Sequence, residues 1–220
     1  MSDLVGDFKT VTSIFGNSPT DVIRRLEREI PELCGHHTTI TSYLEQASIS
    51  PVTLLAALNL KEVVGQLNVI IHALGILTAL PHVLEKDEIV ESISLGAGNT
   101  GKKFDLVTDL RVAEFKFIHW RGGAESIRQN NVFKAFLNLL WDTSGKKRQL
   151  FLTGTERALS FLSGGRALSS VLSKDQATKS RFESKYGQQF RVVGEFYRKH
   201  ENGVEIIDLK EIIPFFKIMK

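Results

Sequence analysis

Over the first 80 residues the apolar positions recur at spacings of three and four, a pattern that predicts a run of helices. In "SPTDVIRRLEREI", Ser18 stands where a helix N-cap belongs, Pro19 takes the first helical position, and acids fall in the early turns. A longer helical pattern runs from about Val52 to Leu80, with Gly65 and Gly75 as places where it could break. Pro81 resets the chain, and "PHVLEKDEIVESISL" reads as another helix with Leu80, Leu84, Glu88, Glu91 and Leu95 along one stripe. From Lys102 the period changes to two, so "KKFDLVT" and "RVAEFKFIH" predict strands joined by a tight turn near Asp109. Helical spacing returns from about Ala124 to Trp141, with Phe133, Phe136, Leu137, Leu140 and Trp141 on the apolar face. "KRQLFLTG" reads as a short apolar strand, and "TERALSFLSGG" as a capped helix with a glycine stop. The near-repeat "RALSFLS" and "RALSSVLS" is too short for a solenoid and predicts two short amphipathic helices. "QQFRVVGEFYRK" and "GVEIIDL" predict a hairpin turning at "HENG". This order predicts an α/β fold: a mixed central sheet flanked by helices over residues 81–220, behind an all-helical region over residues 1–80.

Composition narrows the class. The 220 residues are 42% hydrophobic, enough for one sizeable core or one domain with a helical extension. A single cysteine excludes a disulfide framework and suits a reducing, cytoplasmic compartment. No basic stretch followed by an apolar run opens the chain, so no signal peptide is expected. The most apolar stretch, Val63 to Leu80, is interrupted by Gln66, Asn68 and His72, and is expected to be a buried core helix and not a membrane span. The net charge of +3 hides an asymmetry: residues 1–100 carry 6 Lys/Arg against 12 Asp/Glu, and residues 101–220 carry 22 against 13. A basic second half predicts a polyanionic partner, unless it is only a solvated surface.

The segment "LGAGNTGKKFDLVTDLRVAEFKF", residues 95–117, carries two incompatible motifs. Gly96, Gly101 and Lys102 match G-x-x-x-x-G-K, but a phosphate-binding loop needs a strand before it, a helix after it, and Ser or Thr following the lysine. Here a helix is predicted before and a strand after, and Lys103 follows, so the nucleotide reading fails. The glycines are expected to turn the chain from helix into sheet. The second motif is Asp105, Glu114 and Lys116. With an even turn centred on Asp109–Leu110, the numbers of paired residues sum to 219, so Asp105 faces Glu114 and Val107 faces Val112. Alternation then places Asp105, Glu114 and Lys116 on one face, and Phe104, Leu106, Ala113, Phe115 and Phe117 on the other. Opposed Cβ atoms lie about 4.5–5.5 Å apart. Two carboxylates that close repel unless a cation separates them, and oxygen ligands suit Mg²⁺ or Mn²⁺.

These residues, "KFDL" followed by "AEFKF", resemble the PD-(D/E)xK nuclease superfamily, with its restriction-endonuclease-like fold, over roughly residues 85–155. The resemblance implies that Asp105 and Glu114 bind the metal and that Lys116 assists catalysis. It implies a further acid from the preceding helix, for which Glu91 is the best match and Glu88 lies one turn away. It also implies a glutamine from the following helix, where Gln129 stands. Gln129 to Phe133 gives Q-x-x-x-F and not the Q-x-x-x-Y of RecB-like members, and Phe104 replaces the motif's proline. The activity implied is Mg²⁺-dependent endonucleolytic hydrolysis of DNA, with Mn²⁺ substituting, in restriction, phage defence, recombination or repair. A nucleic-acid-binding module with a vestigial site and an RNA-directed nuclease are the alternatives. The acidic helical region is expected to serve dimerisation, as a homodimer with two sites, or docking of another subunit.

Other chemistry-bearing residues are weaker. Cys34, His36 and His37 have no second ligand pair at metal-site spacing. His72 is expected to be a satisfied core histidine, and His119 falls on the face opposite Lys116. Trp120 and Arg121 could rim a groove or simply end the strand. The serines of "SGGRALSS" lack a nearby base. Lys174, Lys179, Arg181 and Lys185 could track phosphates along one helical stretch or form a solvated face.

Overall fold

The computed structural model of the chain describes residues 3–16, 18–32, 37–96, 101–117 and 125–217. It divides into two compact units, Met1–Asn68 and Val69–Lys220. The first holds helices α1 (Leu4–Phe15), α2 (Pro19–Glu32), α3 (His37–Gln46) and the start of α4 (Pro51–Val83). The side chain of Asp3 caps α1 by accepting from the Gly6 amide at 3.1 Å. Helix α2 starts at Pro19, as its sequence predicts. Tyr43 of α3 donates to Glu29 of α2 at 2.5 Å, and Asn59 of α4 donates to Asp7 of α1 at 3.0 Å.

Helix α4 passes through Gly65 and Gly75 without a break. It is long and apolar enough to cross a membrane, and only 11% of its most apolar window is buried. The expectation of a buried core helix is therefore corrected. In the second unit α4 buries Ile76, Ala79 and Val83 against the sheet, while Ile70, Ile71, Leu74 and Leu77 stay about half exposed. The helix is apolar around its whole circumference, and a single sheet covers only one side of it.

The second unit is built on a sheet that is five-stranded among the described residues: β1 (Val90–Ile93), β2 (Leu106–Thr108), β3 (Arg111–Lys116), β4 (Lys147–Leu152) and β5 (Glu205–Asp208), in that spatial order. The first three strands run antiparallel, and β4 and β5 add in parallel. The fold is thus α/β with a mixed sheet. Between the strands lie α5 (Glu125–Leu140), α6 (Glu156–Leu162), α7 (Leu168–Leu172), α8 (Gln176–Tyr186) and α9 (Val193–His200), with α10 (Leu209–Ile212) and α11 (Pro214–Lys217) closing the described chain.

Two expected elements are corrected. Pro81 does not reset the chain and no new helix starts there: it lies inside α4, which ends at Val83, Asp87 adopts φ +67°, and the chain enters the sheet at Val90. An aspartate tolerates that left-handed conformation, but a continuing helix cannot contain it. Nor does "QQFRVVGEFYRK" pair with "GVEIIDL". Val193 and Phe196, three apart, are both fully buried from helix α9, and β5 instead lies parallel to β4.

Both faces of the sheet are covered. On one, Val112, Leu150 and Leu152 pack with Phe133, Phe136 and Leu137 of α5 and with an aromatic group around Phe196. On the other, Leu106, Ala113, Phe115 and Phe151 pack with Ile76 and Ala79 of α4 and with Phe216. At Gly75 the α4 backbone meets the Phe117 ring so closely that a Cβ would lie 2.5 Å from it. At one end of the sheet Arg111 is buried among Glu88 at 2.7 Å, Gln149 at 2.8 Å and Glu85 at 3.0 Å.

Candidate active site

The even turn predicted between β2 and β3 is present. Thr108 Oγ1 accepts from the amides of Leu110 at 3.1 Å and Arg111 at 2.9 Å, holding a two-residue connection at Asp109–Leu110. The pairs Leu106↔Ala113 and Val107↔Val112 follow, the register that carries Asp105 opposite Glu114. Glu114 and Lys116 point, with Val112, toward the α5 side of the sheet. Phe104 departs from the expected alternation: it joins the α5-side core, because it precedes the regular pleat of β2.

Asp105 is held from three directions. Its Oδ2 accepts from the Phe115 amide at 2.8 Å, its Oδ1 lies 3.2 Å from His72 Nε2, and the Lys116 ammonium stands 3.6 Å from Oδ2. Lys116 Nζ also donates to Glu114 Oε2 at 2.7 Å and to the Phe115 carbonyl at 3.2 Å. Asp105 is 6% exposed and Glu114 8%. Both open into a pocket of about 460 Å³. Lys102, Lys103 and Ser94 line one side of it, and Asn131, Lys134, Ala135 and Asn138 of α5 line another. Those four α5 residues follow one another at i, i+3, i+4 and i+7, so they form one stripe of the helix.

Burial raises the pKa of every carboxylate here, and the neighbours then separate the two. At Asp105 it is outweighed by the His72 hydrogen bond, the Lys116 charge and the Phe115 amide, so that pKa is lowered. At Glu114 burial, reinforced by the Asp105 charge, outweighs Lys116, so the pKa is raised. Lys116 is itself desolvated, but the Glu114 and Asp105 charges keep its pKa above the usual lysine value. Lys116 thus lies against both buried carboxylates, with Lys102, Lys103 and Lys134 further along the wall of the same pocket.

Not every expected residue reaches this pocket. Glu91 sits on strand β1 and not on a helix, and pairs with Lys146 at 2.7 Å. Glu88 is spent in the buried Arg111 pair and a 2.5 Å bond from Thr108. Gln129 hydrogen-bonds Arg166 and lines a separate groove with Glu125 and Arg157. Conversely, His72, Asn131, Lys134 and Asn138 line the pocket without having been singled out for it. The readable signal was Asn131, Lys134 and Asn138 recurring at helical spacing among the apolar residues of the second half of α5; for His72 it was only a lone imidazole on an apolar helix.

The glycine-rich segment lacks the context of a phosphate-binding loop. Strand β1 does precede it, but strand β2 and not a helix follows, and Lys102 donates to the Ile93 carbonyl at 2.6 Å. On α8, Arg181 stacks over Trp141 at 4.5 Å and Lys179 pairs with Glu183 at 3.8 Å. Lys174 rims a groove that shares Asn131 and Lys134 with the pocket. Cys34, His36, His119, Trp120 and Arg121 lie outside the described residues, as does the side chain of His37.

Among the described residues no three His, Cys, Asp or Glu side chains are placed to hold a metal ion. The donor chemistry nonetheless fits one magnesium or manganese ion, because such ions keep several waters and take one or two carboxylates plus substrate phosphate. Asp105 and Glu114 provide two carboxylates in a pocket with room for both. No family model, curated protein or solved structure matches the chain.

Proposed function

We propose that this protein is a divalent-cation-dependent nuclease that hydrolyses phosphodiester bonds in DNA, on a restriction-endonuclease-like fold. One observation carries the reading: two buried carboxylates on paired strands share a pocket with a lysine at 2.7 and 3.6 Å, and further lysines line its wall. The mixed sheet with helices on both faces supports it. Asp105 and Glu114 would hold the cation, Mg²⁺ or Mn²⁺, which when bound supplies Lewis acidity toward phosphate and water. Lys116 stabilises the negative charge that grows on the phosphoryl oxygens in the transition state. His72 and the Phe115 amide fix the direction of the Asp105 carboxylate, and Lys102, Lys103 and Lys134 line the path of the incoming backbone, Lys103 and Lys134 exchanging their Asp142 and Asp175 partners, at 3.1 and 2.6 Å, for phosphate.

A second reading, a nucleic-acid-binding module with a vestigial site, draws on Lys116 already balancing the carboxylates and on the absence of a third ligand among the described residues. Plasmid, single-stranded DNA and RNA incubated with Mg²⁺, Mn²⁺ or EDTA separate the readings. The nuclease cuts DNA with a divalent ion, not in EDTA, and loses cutting in Asp105→Asn. Binding without cutting under any ion supports the module, and cutting of RNA alone moves the substrate class.

A further inference from the structure

Helix α4 carries two opposite faces in one stretch. His72, Gly75, Ile76, Ala79 and Val83 turn toward the sheet: the His72 ring meets Asp105, Gly75 meets the Phe117 ring, and Ile76 and Ala79 are fully buried. On the other side Val64, Leu67, Ile70, Ile71, Leu74 and Leu77 are 57, 43, 48, 50, 58 and 47% exposed. Val64, Leu67, Ile71 and Leu74 repeat at spacings of three, four and three. Written as heptads, Val64 and Ile71 take position a, Leu67 and Leu74 take position d, and Ile70 and Leu77 take the flanking g position. His72 and Ala79 then fall at b, and Ile76 and Val83 at f, which is the back of such a helix. Gly75 falls at e, beside the seam, where the Phe117 ring packs; the core of the second unit otherwise uses the back of the helix and leaves the a, d and g positions open.

We propose that this face binds a second copy of the chain, α4 against α4, as a short parallel two-stranded coiled coil. The residue types choose the partner. β-Branched residues at a with leucine at d favour two parallel strands, and every seam position from Val64 to Leu74 obeys that rule. The area is also sufficient. Six large side chains about half exposed present roughly 500 Å² of apolar surface per copy, near the top of the 300–600 Å² of the largest patch on an ordinary monomer. Two copies hide about 1,000 Å², the lower bound for a biological interface and the range of weak, reversible association. Only two heptads are present, but the helix is already held in shape by its other face, so association has no helix to form. A lipid bilayer is the weaker occupant, because Gln66 and Asn68 flank the seam and the opposite face is committed to the sheet and to Asp105. This inference does not depend on the nuclease reading.

Sedimentation of the full chain over a wide concentration range tests it. The expected mass is twice that of the chain, and the double variant Leu67→Lys, Ile71→Glu should halve it while the far-ultraviolet circular dichroism is unchanged. A second measurement does not depend on that variant folding. In a Cys34→Ser background, Leu74→Cys should form a disulfide-linked dimer on mild oxidation, because equivalent d positions meet in a parallel pair, and Gln66→Cys should not. A wild-type protein that stays monomeric at every concentration overturns the proposal. So does equal cross-linking at both positions. A monomer that co-sediments with phosphatidylcholine vesicles assigns the face to lipid and also overturns it.

Discussion

Lys116 and Glu114 stand two residues apart on strand β3, emerge on the same face, and meet at 2.7 Å inside the pocket. That contact makes Lys116 the cation against which two buried carboxylates are set. Lys116→Met keeps the length of the side chain and removes the charge. The variant should melt at a lower temperature than wild type in EDTA and show a larger rise on adding Mg²⁺, because the ion then supplies the missing charge. Cleavage should fall about 10²–10³-fold, the usual effect of losing one transition-state stabiliser. Thermal melts with a Mg²⁺ titration and single-turnover cleavage check both, and an unchanged rate removes Lys116 from the active site.

The two carboxylates should impose opposite pH dependences. Burial, with help from Asp105, raises the pKa of Glu114 above the ordinary 4.5. Between 4.5 and that raised value the folded chain holds a proton that the unfolded chain releases, so the contribution of Glu114 to stability falls as pH rises. Burial also opposes ionisation of Asp105, but His72, Lys116 and the Phe115 amide prevail and lower its pKa below 3.8. Its contribution is present above 3.8 and is lost as pH falls through the lowered value. Glu114→Gln should therefore raise stability in EDTA on the alkaline side of the Glu114 transition and flatten the decline there. Urea midpoints across a pH series read this directly. Mg²⁺ affinity of the wild type should climb through the same window, since the proton must leave first.

His72 should matter where Glu91 and Gln129 do not. The imidazole 3.2 Å from Asp105 orients the carboxylate from outside, and loss of such a partner typically costs about 10–100-fold in metal affinity or activity. His72→Ala should show that loss in cleavage and in the Mg²⁺ concentration required. Glu91→Gln and Gln129→Ala, each tied to a basic residue away from the pocket, should cleave at the wild-type rate. A silent His72→Ala, or an inactive Glu91→Gln, would reverse the assignment.

What could be read from the chain follows from how local each determinant is. Asp105 and Glu114 were legible as a pair because a two-residue turn fixes register, and Thr108 closes that turn within three residues. The strand in "GVEIIDL" was legible and is β5, but its pairing was not, because its partner β4 lies more than fifty residues away and "FRVVGEFY" satisfies both the period of a strand and that of a helix. Glu91 was misplaced because "PHVLEKDEIVESISL" has helical spacing throughout, whereas the chain leaves the helix through a left-handed turn at Asp87, beside a Glu88 held by Arg111 from more than twenty residues away. Gln129 shares the stripe of Phe133, and that stripe faces the hydrophobic core; the pocket lies under Asn131, Lys134 and Asn138 instead.

The Arg111–Glu88 pair is a stability element. The Arg111 side chain is 5% exposed and that of Glu88 0%, so removing either partner strands a buried charge. Arg111→Met should destabilise the protein by about 3–5 kcal/mol, measured by denaturant unfolding. The double variant Arg111→Met, Glu88→Leu should recover much of that loss. If the single variant is as stable as wild type, the pair is not the anchor described.

DNA binding should weaken steeply with salt, because cations released from phosphates drive it. Lys103→Gln and Lys134→Gln should each lower affinity about equally for every sequence, and each should reduce the slope of log K against log salt by about 1. Fluorescence anisotropy at several salt concentrations measures this. A variant with an unchanged slope places that lysine off the nucleic-acid path.

The bare backbone at Gly75 acts as a spacer of fixed thickness. With no side chain there, the Phe117 ring lies directly on α4, one residue beyond Lys116 on the strand and one helical turn from His72 on the helix. The close approach of helix and strand beside Asp105, which His72 and Lys116 reach from their two elements, thus requires the absence of one methyl group. Gly75→Ala would wedge helix and strand apart and draw His72 and Lys116 away from the same carboxylate together, altering none of the side chains that meet there.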